Sequence, residues 1–152
     1  MAHTLAAHRN AIGRLLPSLV SHPLFSHEIQ RLQELAEKSR AVLGVSEDEA
    51  EVEIASPVHP LAAAYVILGS RLGAEILRKR LKAAPTDWDS GAEAYFNDGG
   101  SQQHWKVLQQ MLGDIDCERE ANEIVEGAQA AFGVFLEEAN IAARHGGVSA
   151  TL

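Results

Sequence analysis

Apolar residues recur every three or four positions in five stretches of the chain, the spacing that places them on one face of an α-helix. The first stretch covers residues 4–20, and Pro17 is expected to kink or end it. The second covers about 27–43, with Ser26 as the predicted N-cap and Gly44 as the predicted stop. The apolar faces of these two helices comprise Leu5, Ile12, Leu15, Leu16 and Leu19, then Ile29, Leu32, Leu35, Ala36 and Leu43.

Three further helices are predicted in the second part of the chain, at about 60–83, 101–113 and 116–143. An acidic linker at 45–57, and a stretch rich in turn-forming residues after Pro85, separate them from one another and from the first two. The last two helices take their apolar faces from Trp105, Leu108 and Leu112, then Ile124, Ala128, Ala131, Phe132 and Phe135. Since no strand pattern is present, the sequence predicts an all-α bundle of about five main helices. We expect a single domain over 1–152, with 146–152 as a loose tail.

Two glycines lie inside the helix predicted at 60–83, and this is the most unusual local feature of the chain. Gly69 and Gly73 are four residues apart, so they share one face of that helix. Each costs an α-helix roughly 1 kcal/mol relative to alanine. A helix that keeps both on one face usually needs close approach to its backbone, by another helix or by a flat ligand.

Composition narrows the classes of partner. The formal net charge of −8 argues against a nucleic-acid backbone, which needs clustered lysine and arginine. The lone cysteine, Cys117, excludes an internal disulfide and fits a reducing compartment. We find no secretory signal pattern and no apolar run long enough for a membrane span, so we expect a cytoplasmic location without membrane contact.

The helix with the two glycines resembles the distal helix of bacterial heme oxygenases. The residues that carry the resemblance run from Tyr65 to Ala74, with Gly69-Ser70-x-Leu72-Gly73 at their centre. A second match follows at the expected distance, in Tyr95-Phe96, Gly99-Gly100 and Trp105. The resemblance covers about 60–140 and implies a heme oxygenase-like helical bundle that binds heme b. It also implies an oxidoreductase that opens heme to biliverdin, releasing iron and carbon monoxide, with electrons from a reductase partner.

The resemblance also assigns roles to single residues. Gly69 and Gly73 would let the helix backbone lie over the heme, and Ser70 would neighbour the water network on the oxygen side. His8, in the partial pattern Thr4-x-x-x-His8, would be the axial ligand of the iron. Heme propionates need cations near the pocket mouth, which Arg80 and its basic neighbours Arg78, Lys79 and Lys82 would supply. The same cations also suit the C-terminal end of a helix, where they meet the helix dipole favourably.

The chain departs from the family pattern in ways that keep an alternative open. Leu68 stands where the bacterial pattern has glutamate, Ala74 replaces a glycine, and Ile12 replaces the glutamate that follows the proximal histidine. The family usually has three helices before the linker, whereas this chain has room for two. In the alternative, the helix with the iron ligand is missing. The protein is then a non-catalytic member of the family that acts as a binding or regulatory partner, with a protein partner or as a homodimer.

The remaining histidines carry no comparable pattern. His22, His27, His59 and His104 show no spacing that would bring two metal ligands to one helix face. We expect His104 to cap and pack at the start of its helix, whereas His22 and His27 flank a loop and could meet in space. Phosphate loops, catalytic triads and paired carboxylates are likewise not evident in the sequence.

Overall fold

Helices make up most of the described part of the chain, which comprises residues 2–20, 22–42, 54–82, 95 and 100–147 of a computed structural model. No strand occurs within these ranges. These ranges contain five α-helices: α1 (Ala2–Leu15), α2 (Pro23–Val42), α3 (Pro60–Lys82), α4 (Ser101–Gly113) and α5 (Glu118–Gly147). A 3₁₀ turn, Leu16–Leu19, follows α1. The predicted all-α bundle is thus confirmed.

The start of the second helix was predicted wrongly. α2 begins at Pro23, and the amides of Phe25 and Ser26 donate to the carbonyl oxygen of His22. Proline suits the first turn of a helix because its missing N–H has no partner there anyway. Ser26 is therefore not the N-cap; its hydroxyl donates to the Pro23 carbonyl oxygen at 3.1 Å. Pro17, in contrast, behaves as expected, since α1 ends at Leu15 and gives way to the 3₁₀ turn that contains it.

The last helix is longer at its C-terminal end than its apolar pattern indicates. α5 continues to Gly147, so Gly146 and Gly147 belong to the helix rather than to a loose tail. α3 and α4 agree closely with the prediction, and α3 runs as one α-helix through both of its glycines. The predicted stops at Gly44 and Pro85, Leu43, most of the acidic linker, and residues 148–152 lie outside the described residues.

The core lies where α1 and α3 meet α5. α1 packs mainly on α5 and α2, while α3 packs mainly on α5 and α4. Their apolar faces supply the largest fully buried aliphatic side chains of the described residues, among them Leu5, Ile12, Leu15, Leu19, Ile29, Leu32, Ile67, Leu68 and Leu108. Phe132, which the sequence assigns to the buried face of α5, is instead 54% exposed. The buried face of α5 is the one marked by Ile124, Gly127, Ala131 and Glu138.

A glycine allows a close helix approach at α5, and not at the glycine pair of α3. A Cβ on Gly127 would lie 2.9 Å from the Cβ of Ala62 and 3.3 Å from the backbone nitrogen of His59. Both distances are below ordinary van der Waals contact, so a side chain here would push α3 and α5 apart. Gly127 therefore sets the distance between these two helices.

Two ion pairs, one of them buried, tie α1 to α5. Arg14 donates to Glu138 at 2.9 Å and to Glu137 at 2.7 Å, and Asn10 donates to Glu138 at 3.2 Å. Glu138 is buried, so its carboxylate depends on these donors. These contacts fix the position of α1 along the axis of α5. That position determines which residues of α5 lie opposite His8.

A second buried carboxylate ties α2 to α4. Glu28 accepts hydrogen bonds from Arg31 at 2.6 and 2.8 Å and from Ser101 at 2.8 Å. Burial alone would raise the pKa of this carboxyl, but the hydrogen bonds from Arg31 and Ser101 hold the pKa below its usual range. These contacts hold α2 and α4 together, and they do not place Glu28 in the arrangement of a catalytic carboxylate.

Candidate ligand cleft at His8

An apolar cleft opens between the N-terminal half of α1 and the C-terminal half of α5. Its volume is about 470 Å³, within the range of small-molecule sites. Thr4, Ala7 and His8 form one wall. The other wall consists of six residues of α5, which are Phe132, Phe135, Leu136, Ala139, Ala142 and Ala143. Among the described residues, His8 is thus the one titratable side chain on walls that are otherwise almost entirely apolar.

His8 is held in place by an aromatic residue far away in sequence. Its Nδ1 lies 3.2 Å from the hydroxyl oxygen of Tyr95, which is fully buried. The imidazole also meets the ring of Phe135 edge-on, with ring centroids 5.6 Å apart. Because one nitrogen is engaged by a hydroxyl and the ring is wedged against α5, the orientation of the imidazole is fixed on both sides.

Tyr95 is positioned in turn by α3. The guanidinium of Arg71 stacks over the Tyr95 ring at 4.2 Å from its centroid, and Arg71 also donates to the Tyr95 carbonyl oxygen. Arg71 is buried, although it is charged. The cation–π contact and the hydrogen bond compensate part of the cost of burying that charge. The series Arg71, Tyr95, His8 therefore connects α3 to the wall of the cleft.

These surroundings keep His8 neutral. Burial, and secondarily the positive charge of Arg71, lower the pKa of His8 to about 4. At neutral pH the imidazole therefore has one protonated nitrogen and one lone pair. If Nδ1 donates its proton to the Tyr95 hydroxyl, the lone pair lies on Nε2. This is the tautomer that a metal-ligating histidine adopts when a second residue accepts its other N–H.

The two glycines of α3 lie elsewhere. A Cβ on Gly69 would meet the ring of Trp105 at 3.6 Å, an ordinary contact distance, and a Cβ on Gly73 would meet nothing within 4 Å. Neither glycine lines the cleft beside His8. The helix does not need glycine at either position to admit a described neighbour.

Ser70 does not line the cleft either. Ser70 donates its hydroxyl to the Ile67 carbonyl oxygen of its own helix at 2.6 Å. Arg80 lies in α3, but its side chain is outside the described residues, as are those of Arg78 and Lys82. Lys79 is exposed. The structure thus places His8 at a cleft and leaves Gly69, Ser70 and Gly73 away from it.

The residues around the cleft fit the side of a heme on which the iron ligand lies, and they do not fit its oxygen side. A heme iron already has four porphyrin nitrogens, so a single neutral imidazole is enough to hold it. A bare metal ion needs more ligands, and the described residues contain no cluster of three histidine, cysteine, aspartate or glutamate side chains that could hold one. The fit is good on the His8 side. It fails for the oxygen side, because the glycine pair that would cover it does not border the cleft.

Sequence reasoning missed the partners of His8. Tyr95 and Arg71 are 87 and 63 residues away from it, and neither was given a role toward it. No local pattern signals such a contact, since it depends on how α1 and α3 are placed around the Tyr95 ring. The one available hint was the Tyr95-Phe96 match within the resemblance.

Comparisons with known proteins leave the family open. No family model matches the chain, and neither the curated proteins nor the solved structures contain a significant match. The resemblance to heme oxygenases therefore stays a prediction. As for membranes, none of the helices in the described ranges combines the length and hydrophobicity that a span requires.

Proposed function

We propose that this protein binds heme, or a flat apolar ligand of similar size, in the cleft between α1 and α5, with His8 as the axial ligand of the iron. The observation that carries the proposal is a neutral imidazole, oriented by Tyr95, on the wall of an apolar cleft of about 470 Å³. Apolar walls with few polar groups are typical of cofactor sites, and a histidine on a helix is the usual proximal ligand of heme.

Three sets of residues would contribute to heme binding in the cleft. Phe132, Phe135 and Leu136 offer apolar surface to a planar ring. Tyr95 holds the Nδ1 side of His8, and if its hydroxyl accepts the Nδ1 proton, the lone pair lies on Nε2 and is available to a metal. Arg71, through its positive charge, helps to keep His8 unprotonated and able to bind a metal. A bound heme would supply an iron centre for ligand binding or electron transfer.

The proposal does not include oxygenase activity. In the resemblance, oxygen activation depends on the backbone at Gly69 and Gly73, with Ser70 beside it. None of these three residues lines the cleft, so we derive no reaction step from them. The proposal accordingly needs no reductase partner.

Titration of the purified protein with hemin tests the proposal. We expect a sharp Soret band that is lost in His8→Ala. The matched control is His27→Ala, which removes an exposed histidine of α2 and should leave the band unchanged. Tyr95→Phe keeps the ring but removes the hydroxyl, and we expect roughly 10- to 100-fold weaker binding, the usual cost of losing a partner that orients a metal ligand. A Soret band that is identical in His8→Ala would refute His8 as the ligand.

A second function is favoured by a different observation. Val125, Phe132 and Leu136 of α5 are all more than half exposed, which is unusual for large apolar side chains that share one helix. This favours the alternative of a non-catalytic member that acts as a binding or regulatory protein. Its signature would be protein association in the absence of any ligand.

A further inference from the structure

α5 carries a second apolar stripe beside the one that faces the core. Six exposed residues follow one another at alternating spacings of four and three, and we refer to them as the outer seam. They are Val125, Gln129, Phe132, Leu136, Ala139 and Ala143. This alternation is the 3.5-residue repeat of the a and d positions of a coiled coil. A helix with such a repeat is suited to pack along another helix rather than against a flat surface.

We propose that the outer seam pairs with the outer seam of a second copy of this chain, in an antiparallel arrangement about a two-fold axis near residue 134. The proposal rests on the seam itself and not on heme binding. It assigns one occupant to the surface, and the arguments for that occupant are shape, charge and extent.

The outer seam is complementary to itself in shape. With the axis near residue 134, each large residue of one copy lies opposite a smaller or differently shaped residue of the second. The layers are Phe132 opposite Leu136, Gln129 opposite Ala139, and Val125 opposite Ala143. Large residues facing small ones are what allows helices to interdigitate without gaps. Gln129 is the one polar residue of the seam.

Charge favours the antiparallel direction. The first part of α5 is acidic, with Glu118, Glu120, Glu123 and Glu126. Arg144 lies near the opposite end of the helix and is exposed. In the antiparallel arrangement Arg144 of one copy comes to the level of residue 124 of the second, between Glu123 and Glu126, and the two helix dipoles oppose each other. A parallel pair would instead align the acidic segments, which repel.

The extent of the surface is enough for a weak dimer. The seam extends over about 27 Å at 1.5 Å per residue. α1 borders it with Thr4 and Ala7, so the second copy would enter a groove between two helices. Such a contact reaches the low end of specific interfaces, on the order of 1,200 Å² in total, and we therefore expect dissociation at micromolar concentrations.

Sedimentation equilibrium of the ligand-free protein tests the proposal. We expect the mass to rise from 16.4 kDa toward twice that value over a range from about 1 to 200 µM. Leu136→Glu places a charge in the seam and should leave a monomer with unchanged helix content. The control is Ile76→Glu, because Ile76 is similarly exposed but lies on α3. A monomer throughout the range, or a dimer that Leu136→Glu leaves intact, would overturn the proposal and leave the seam to another partner.

Cysteine crosslinking tests the register. In a background in which Cys117 is replaced by serine, the variants Gln129→Cys and Ala139→Cys should crosslink when mixed and not when oxidised separately. Crosslinking of each variant with itself would indicate a parallel pair and contradict the proposed two-fold. Because Phe132 and Leu136 also line the cleft, the second copy would close it. Both experiments therefore use protein without hemin, so that dimerisation and heme binding can fail independently.

Discussion

The two halves of α3 differ in how tightly their neighbours approach them. In the first half Ala62, Ala63 and Ala64 are all fully buried, and α5 comes so close at Gly127 that a Cβ there would clash with Ala62. Near the middle of the helix Gly69 meets Trp105 at an ordinary distance, and Gly73, in the second half, faces open space. The glycine pair that is conspicuous in the sequence thus lies where the described neighbours leave room. A glycine in a helix does not by itself indicate close packing, because that depends on which residue faces it.

The largest effect should come from filling the tight contact. Gly127→Leu forces α3 and α5 apart, and we expect it to lower the free energy of unfolding by about 3 kcal/mol or more, the upper range of overpacking. Urea denaturation measures this directly. The matched control is Gly73→Leu, which should stabilise the protein by up to about 1 kcal/mol through helix propensity. Equal effects of the two substitutions would contradict the comparison.

The next effect comes from His8, whose pKa is lowered first by burial and then by the positive charge of Arg71 on α3. Since burial and Arg71 lower the pKa of His8 from 6.5 to about 4, the unfolded chain binds a proton there that the folded protein does not bind between these values. The stability from neutral His8 is therefore complete above pH 6.5 and is lost as the pH falls toward 4. Between pH 7 and pH 5 we expect a loss of about 2 kcal/mol.

Urea denaturation of the ligand-free protein at several pH values measures this loss. His8→Met is the control, because methionine has no titration and adapts to apolar surroundings. Its unfolding free energy should depend about 2 kcal/mol less on pH over the same range. The lowered pKa of Glu28 adds a further loss only as the pH falls through its usual range of about 4.5, which is why the comparison stops at pH 5. The same pH dependence in both proteins would refute a neutral His8.

A smaller effect is expected from substitutions of Gly69 and Gly73. They test whether hemin binding depends on the cleft or on the glycine pair. Gly73→Ala and Gly69→Ala should each stabilise the protein by about 0.5–1 kcal/mol, because neither added methyl group meets a clash. Hemin affinity should stay unchanged in both, since neither residue lines the cleft. A Soret band that weakens in Gly69→Ala or Gly73→Ala would restore the oxygenase arrangement and contradict the cleft as the binding site.

The smallest effect is expected at Ser70. Its hydroxyl donates to a carbonyl oxygen of its own helix, which already takes part in helix hydrogen bonding. Ser70→Ala should therefore change the free energy of unfolding by less than about 0.5 kcal/mol in thermal or urea denaturation. Hemin titration should likewise match the wild type. A large effect on either would show that Ser70 has a partner beyond its helix.

Much of the fold was predictable, and the limits of the prediction have physical causes. α3 and α4 were predicted within a residue because Pro60 favours a helix start and Gly100 and Gly113 mark the two ends of α4 locally. The start of α2 was wrong because His22 and Pro23 compete with Ser26 as starting points, and their ranking depends on the backbone. Phe132 was assigned to the core because its spacing fits a buried stripe. The spacing cannot tell a stripe that faces the core from a second stripe that faces outward.

The candidate site was predictable only as single residues. His8 was selected from the resemblance and does line a cleft, but its partner Tyr95 is 87 residues away and carries no pattern that points to His8. Gly69 and Gly73 were selected from their cost to the helix. Each glycine does lower helix propensity, but the sequence does not show whether a neighbouring residue requires the missing side chain.

The sequence by itself determined the all-α architecture and most of the helix bounds, because periodicity, proline and glycine act over a few residues. Tertiary structure alone decided that His8 is neutral and faces a cleft with α5, that Gly127 rather than Gly73 sets a helix distance, and that α5 has an outer seam. These properties depend on which side chains meet across helices. Burial, charge and contact distance exist only once the helices are in place.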